Sequence, residues 1–443
     1  MLACLLAFWL GPDLAPAADT PLWRTNQTGL SVDINRWQLP RVLKQIAIQT
    51  GWRVFVEQGT TATITAKFQS TNADEAVARL LAHVNYTRMA TNGAAQLLVY
   101  RTIPTAATQI VTTEPEGKRD YRIPNELIVR LKPNAKESIE ALAKELHAEI
   151  IGRDDRLKLY RLRFDTEADA NAAQILMATD PSVAEVSPNY MVDPPAPVQV
   201  SPVVAAGPTG QASLLNPKTP AGGKVIGLID TAVQMQSQMQ PYAVNPLSVV
   251  GQPDPGSDQI THGTSMMETM MQGMPDAPSK IQPVDVYPGG ESTSTYEVVE
   301  GIIAAVNAGD NPINLSLGGT GNSALLQQVI AEGVAKNILF VAASGNDGGT
   351  SPTYPASYPG VLAVTASGSD GQLASYANDG PFVQAMEPGT SIVYLNGQAW
   401  QVEGTSTATA LATADIAQLM NQQHLTVQQA VAQFIQSHPP PKP

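Results

Sequence analysis

The sequence predicts an α/β protein: a mostly parallel sheet with helices on both faces, preceded by two small α/β domains of the βα type. Three observations carry this. The apolar runs VIGLI (225–229), PINLSL (312–317), ILFVAA (338–343) and VLAVTA (361–366) read as strands buried on both faces. Helical periods separate at least three of them, most clearly at 296–307 and 324–335. Two upstream blocks, 29–101 and 119–193, each alternate strand and helix signals. A length of 443 residues leaves room for about three domains at roughly 150 residues each.

Residues 2–10 (LACLLAFWL) form a short apolar run followed by Gly11-Pro12 and Ala15-Pro16-Ala17-Ala18, so 1–18 read as a signal peptide. No basic residue precedes Arg24, and the usual positive n-region is missing. The run is shorter than the roughly 20 residues a membrane span needs. Export to a periplasm or the exterior is the expectation. In the first block, LSVDI, a helical period in LPRVLKQIAIQTG, WRVFVE, ITAKF, a helix from Ala73 to His83 and QLLVY succeed one another. Thr71 and Asn72 are N-cap candidates for that helix, with Asp74 and Glu75 in its positive first turn.

Residues 102–118, rich in Thr, Ala, Pro and Glu, read as a linker. In the second block ELIVRL (126–131) and KLYRLRF (158–164) alternate, with helices expected at 139–146 and 168–177. Seven prolines between 194 and 220 and no apolar period make 194–222 an extended spacer that is easily cut. The sheet domain occupies 223–420, and 421–443 reads as a C-terminal helix and Pro-rich tail.

A formal charge of −13 supplies no basic field for a phosphate backbone, so nucleic acid is not an expected partner. Cys4 is the only cysteine and falls in the signal peptide, which leaves no disulfide, thiol nucleophile or cysteine-based metal site in the mature chain. Seven of the 13 methionines lie between 235 and 274. Met266, Met267, Met270, Met271 and Met274 trace one helix face and read as core rather than as soft-metal ligands.

Among five histidines, only His262 lies between residue 200 and the last 20. Asp230 closes the strand KVIGLID, where a parallel sheet presents side chains to a cleft. Ser406 follows Gly404 at the start of a helix of small residues, a positive helix end. A serine hydroxyl is a weak nucleophile until a base takes its proton, imidazole is suited to that near neutral pH, and a carboxylate must hold the imidazole in its tautomer. Asp230, His262 and Ser406 provide that set, 32 and 144 residues apart.

Five stretches now occur in order: Ile229-Asp230-Thr231, His262-Gly263-Thr264, Asn314-Leu315-Ser316-Leu317-Gly318-Gly319, Ala343-Ser344-Gly345-Asn346-Asp347 and Gly404-Thr405-Ser406. Together they make 223–420 resemble the catalytic domain of the subtilisin-like serine proteases, which carry Asp, His and Ser in this order. The resemblance implies a subtilisin-like fold and a serine endopeptidase without cofactor. In it Asp230, His262 and Ser406 form the triad, and Asn346 donates to the oxyanion with the Ser406 N–H. Ser316, Leu317 and Gly318 pair with an extended polypeptide substrate. Residues 119–193, ending in Pro188-Asn189-Tyr190, resemble the propeptide of these proteases, implying a self-inhibited precursor and the chain's own propeptide as a partner. Residues 29–101 resemble the secretin and TonB-receptor short N-terminal domain through Leu39, Leu43, Ile46, Gln49-Thr50-Gly51 and the run from Asp74 to Leu81. That implies an envelope secretin or receptor as partner.

Three positions depart from the pattern: Ala232 for a usual Gly, Met266-Met267-Glu268 for small residues, and Ala410 for a usual Pro. None removes a reacting atom. The stretch 273–280 is short where many members of the resembled family carry a calcium-binding loop and offers only Asp276 as a carboxylate, so no strong calcium site is expected there. A non-catalytic peptide-binding scaffold is the main alternative. An ester hydrolase is the third, although its G-x-S-x-G context is absent at Ser406.

Overall fold

The computed structural model describes residues 23–26, 29–57, 60, 62–89, 95–104, 107, 109–111, 121–192, 199–202, 223–251, 260–274, 279–289 and 292–441. The expected signal peptide, the stretch 112–118, most of 194–222 and Asp276 lie outside the described residues. The chain divides into two units after Glu114.

The first unit runs β1 (Trp23–Asn26), β2 (Gly29–Gln38), α1 (Leu39–Thr50), β3 (Arg53–Val56), β4 (Thr63–Ser70), α2 (Ala73–Leu80), β5 (Asn85–Met89), β6 (Gln96–Tyr100) and β7 (Gln109–Val111). Strands β1-β2-β4 form one sheet and β5-β6-β3-β7 another. Helix α1 buries Leu39, Leu43 and Ile46, and α2 buries Val77 and Leu80, in one core. Asn72 caps α2 by accepting from the Glu75 N–H at 2.9 Å. One boundary differs from expectation. Residues 109–111, read as linker, pair antiparallel with β3. Three residues are too few for a period to register, and the pairing comes from the open edge of β3.

The second unit begins with β8 (Arg122–Leu131), α3 (Ile139–Glu145), β9 (Glu149–Asp154), β10 (Leu159–Arg163), α4 (Glu167–Met177) and β11 (Val183–Val192). The antiparallel order is β11-β8-β10-β9. Alternation decides its faces: Leu127, Val129 and Leu131 pack with α3 and α4, whereas Ile128 between them joins the core of the following domain.

That domain contains β12 (Gln199–Pro202), β13 (Val225–Asp230), β14 (Leu247–Ser248), α5 (His262–Gly273), β15 (Lys280–Asp285), β16 (Thr293–Ser294), α6 (Thr295–Ala308), β17 (Ile313–Leu315), α7 (Ala324–Ala335) and β18 (Phe340–Ala343). It continues with β19 (Val361–Ser367), β20 (Ala385–Pro388), β21 (Thr390–Leu395), β22 (Gln398–Glu403), α8 (Thr405–Gln423) and α9 (Val427–Ser437). Its seven-stranded sheet, β14-β15-β13-β17-β18-β19-β20, is parallel at every pairing. Ile229, Leu315 and Phe340 face Val299, Ile302 and Leu326 of α6 and α7. Leu228 packs with the methionines of α5 and with Ala410 and Ala414 of α8, and Val341 with Ala412 of α8 and Phe434 of α9. The methionine face is therefore core.

Two more boundaries move. Residues 199–202 of the expected spacer pair antiparallel with β22 as an edge strand, a place that tolerates Pro202 at its end. The expected C-terminal helix is part of the sheet domain, because α9 buries Ala430 and Phe434 in its core. Among the described residues no helix is long and apolar enough to cross a membrane.

Candidate active site

Asp230 ends β13, which has β15 on one side and β17 on the other, so its side chain leaves the carboxyl end of the sheet near its middle. It is buried, and its Oδ1 accepts from the Thr231 N–H at 2.7 Å. His262 is the first residue of α5 after the N-cap Thr261, whose hydroxyl donates to the Ala232 carbonyl at 2.7 Å. The His262 Nδ1 lies 2.8 and 2.9 Å from the two Asp230 oxygens. A carboxylate only accepts, so Nδ1 carries the proton and Nε2 is left as the base.

Gly263 is required by this contact. A Cβ there would stand 2.2 Å from the Thr231 carbonyl oxygen, and the Gly263 N–H donates to Thr231 Oγ1 at 2.8 Å. The residues after Asp230 and after His262 thus interlock, and their backbones come closer than any side chain would allow.

Ser406 is the second residue of α8, after Gly404 at φ +151°. It is 3% exposed, and its Oγ makes no hydrogen bond in this structure. Helix α8 sits deep in the domain because its small residues permit close approach: Gly273 of α5 lies against Ala414 and Leu411. Thr409 and Thr413 donate their hydroxyls back to the carbonyls of Thr405 and Thr409.

Asn346 Oδ1 accepts from both the N–H and the hydroxyl of Thr405 at 2.9 Å, and its Nδ2 lies against Gly404. Asn346 is thus clamped to the turn that carries Ser406, amide nitrogen towards it. The expected substrate stretch divides. The Ser316 hydroxyl is buried and donates to the Ser406 carbonyl at 3.1 Å, and Leu317 is core. Only Gly318 is partly exposed, so side chains of Ser316 and Leu317 support the site from behind. The Asn314 amide bridges the hydroxyls of Ser316 and Thr413 at 2.9 and 3.0 Å.

Sequence reasoning missed Asn378. Its Oδ1 accepts from the N–H groups of Asp347 and Gly349 at 3.0 Å, and its Nδ2 donates to the Ser344 carbonyl at 2.9 Å, shaping the turn around Asn346. The signal was a buried Asn in Tyr376-Ala377-Asn378-Asp379-Gly380, which reads as another turn. Glu268, one of the departures, is buried in α5, accepts from the Tyr394 N–H at 2.7 Å and is pushed up to about 7 by desolvation. It ties α5 to β21.

The second block docks on this domain. Met191 and Val192 pair antiparallel with Ser294 and Thr293. A Cβ on Gly319 would stand 3.5 Å from the Met191 carbonyl oxygen, so the exit strand runs beside the 318–319 backbone as well. Arg161 bridges Glu126 at 2.6 Å and Glu297 at 2.7 Å, and Asn189 Oδ1 accepts from the Tyr296 N–H at 3.2 Å.

Residues 221–438 match the subtilase family, and residues 107–189 the fervidolysin N-terminal prodomain. Residues 221–438 are thus similar to a subtilase domain, and they follow a stretch similar to the fervidolysin prodomain. The minor extracellular protease Epr of Bacillus subtilis is 43% identical over 24% of this chain and 17% of its own. Subtilisin E of the same organism is 33% identical over 36% and 46%. The chain thus spans less than half the length of these relatives. The crystal structure of fervidolysin from Fervidobacterium pennivorans, a keratinolytic enzyme related to subtilisin, matches the fold with a TM-score of 0.55 at 18% identity, over 69% of this chain and 56% of that one.

Proposed function

We propose that this chain is an exported serine endopeptidase made as a self-inhibited precursor. The reading rests on Asp230 holding the His262 Nδ1 through both of its oxygens, beside helix α8, whose second residue is Ser406. His262 Nε2 takes the Ser406 proton as Oγ attacks a peptide carbonyl. Asp230 keeps the tautomer and stabilises the imidazolium. The Asn346 amide and the Ser406 N–H hold the oxyanion, the imidazolium protonates the leaving amine, and water releases the acyl-enzyme. A substrate strand lies antiparallel to 293–294 and beside 318–319 through backbone contacts, the groove the prodomain strand occupies at Met191 and Val192. Self-inhibition follows from that occupancy, and activation requires a cut in the spacer within 191–222.

The first unit would dock on an envelope secretin or receptor, and the enzyme would work in the periplasm or outside the cell. The scaffold alternative draws on Ala232, Glu268 and Ala410. A fluorophosphonate probe with mass spectrometry of the fragments tests the reading. Labelling and self-cleavage that both vanish in Ser406→Ala support the enzyme. A fully processed protein that takes no label overturns it in favour of a scaffold.

A further inference from the structure

Away from the cleft, three side chains from separate elements converge on the far part of the domain. Glu387 comes from β20, Asp415 from α8, and His438 follows the last residue of α9. One donor atom from each lies within 4.8 Å of the others. His438 Nε2 stands 3.3 Å from Glu387 Oε1. The Glu387 side chain is 5% exposed, and its Oε1 makes no hydrogen bond. A buried carboxylate oxygen without a donor is a costly arrangement unless a cation or a proton meets it. Asp415 adds a second carboxylate to the cluster.

The histidine is held in the orientation of a ligand. Its Nδ1 lies 3.2 Å from the Phe434 carbonyl oxygen, its ring stacks on Phe434 at 4.6 Å, and its carbonyl accepts from the Met386 N–H at 3.3 Å. A carbonyl oxygen only accepts, and the Ser437 hydroxyl, 3.1 Å from the same Nδ1, directs its own hydrogen to the Gln433 and Phe434 carbonyls, so Nδ1 carries the proton. In the neutral ring Nε2 then presents a lone pair to Glu387 Oε1, and two acceptors face one another. A backbone carbonyl on Nδ1 and a lone pair on Nε2 is how metal-bound histidines are set up.

We propose that Glu387, Asp415 and His438 bind a divalent first-row transition-metal ion, zinc being the ion to test, which clasps the end of α9 to β20 and α8. One imidazole and two carboxylates form a donor set suited to zinc, with a fourth position for water on the partly exposed His438 side. Zinc bonds near 2.1 Å in a tetrahedron place donor atoms about 3.4 Å apart, so donors now up to 4.8 Å apart have to close by up to about 1.4 Å. Asp415 lies nine residues beyond Ser406 on α8, about 14 Å along the helix, so the ion is structural and stays out of the proposed catalytic steps.

The test uses the full chain carrying Ser406→Ala, which prevents self-cleavage, stripped with a chelator, dialysed and titrated calorimetrically with zinc chloride. One zinc per chain is expected, with a melting temperature about 5 °C higher at saturation and an X-ray absorption spectrum of one imidazole and oxygen donors. Binding and the thermal shift should both vanish in His438→Ala and in Asp415→Asn, whose melting points without zinc should stay near that of the parent because Ala430 and Phe434 still anchor α9. No stoichiometric zinc on the parent would overturn the proposal and leave a plain His438–Glu387 ion pair. Undiminished binding in both variants would overturn it equally.

Discussion

The guanidinium of Arg161 in the prodomain-like block reaches Glu297 of the subtilase-like domain at 2.7 Å while holding Glu126 at 2.6 Å. Glu297 is also the N3 residue of α6, where it accepts from the Ser294 N–H at 3.1 Å and so orders the short strand on which Met191 and Val192 pair. One side chain therefore couples docking of the prodomain to the shape of the groove edge.

Removing Arg161 takes the shared guanidinium from two largely buried carboxylates, Glu126 keeping the Asn189 amide at 2.9 Å and Arg163 at 3.5 Å, a change that costs about 3 kcal/mol in comparable sites. Arg161→Ala in the Ser406→Ala background should lower the unfolding free energy of the full chain, read from the denaturant midpoint and slope, by that order. In the active protein the same substitution should speed conversion to the mature form, followed on gels. An unchanged midpoint would show that the bridge does not hold the prodomain.

Gly263→Ala places a Cβ 2.2 Å from the Thr231 carbonyl oxygen, and backbone has to move. The first turn of α5 carries His262, so the imidazole leaves Asp230. Peptidase activity should fall by at least about 100-fold, with a loss of about 2 kcal/mol or more in stability. Activity within a few-fold of the parent would mean that the interlock is not needed.

Asn346→Asp keeps an oxygen for Thr405 but replaces the amide donor. Loss of this type of donor in subtilisin lowers kcat by about 10²–10³. A fall of that order is expected here, with KM and melting temperature close to the parent. Asn346→Ala should lower kcat similarly but also melt earlier, since Thr405 loses its acceptor. Equal kcat for parent and Asn346→Asp would remove Asn346 from the mechanism.

Asp310 is 1% exposed, its Oδ2 has no hydrogen-bond partner, and burial pushes it from 3.8 up to about 7. The folded state therefore favours the protonated acid. Its stabilising contribution is complete below about pH 4 and is lost as pH rises through about 7, a change of a few kcal/mol. Urea midpoints of the Ser406→Ala chain should decline over that window, and Asp310→Asn should flatten the decline and gain stability at pH 8. A parallel profile in the variant would assign the pH dependence to other groups.

Much of the architecture was legible because its signals are local. Runs such as VIGLI and VLAVTA must be buried on both sides, the periods at 296–307 and 324–335 must lie on a sheet, and ELIVRL must show two faces. Strands β7 and β12 were not legible, since an edge strand of three or four residues owes its existence to the open backbone beside it. Strand β15, KIQPVD, was hidden by its polar residues and Pro283, which a place between β14 and β13 nonetheless accommodates.

For the site, the residue types around 230, 262, 346 and 406 announced a chemistry. The stretch Ser316-Leu317-Gly318 read as pairing with substrate; its first two side chains turn inward, one onto the Ser406 carbonyl and the other into the core, which leaves any such pairing to the backbone. Asn378 read as a turn and serves as the frame of another turn. Residue order alone established the kind of sheet, the set of candidate reacting groups and where the chain changes character. Folding settled which oxygen faces which nitrogen, and brought Glu387, Asp415 and His438 together, because hydrogen bonds and burial depend on distances between segments far apart in the chain, which no local pattern encodes.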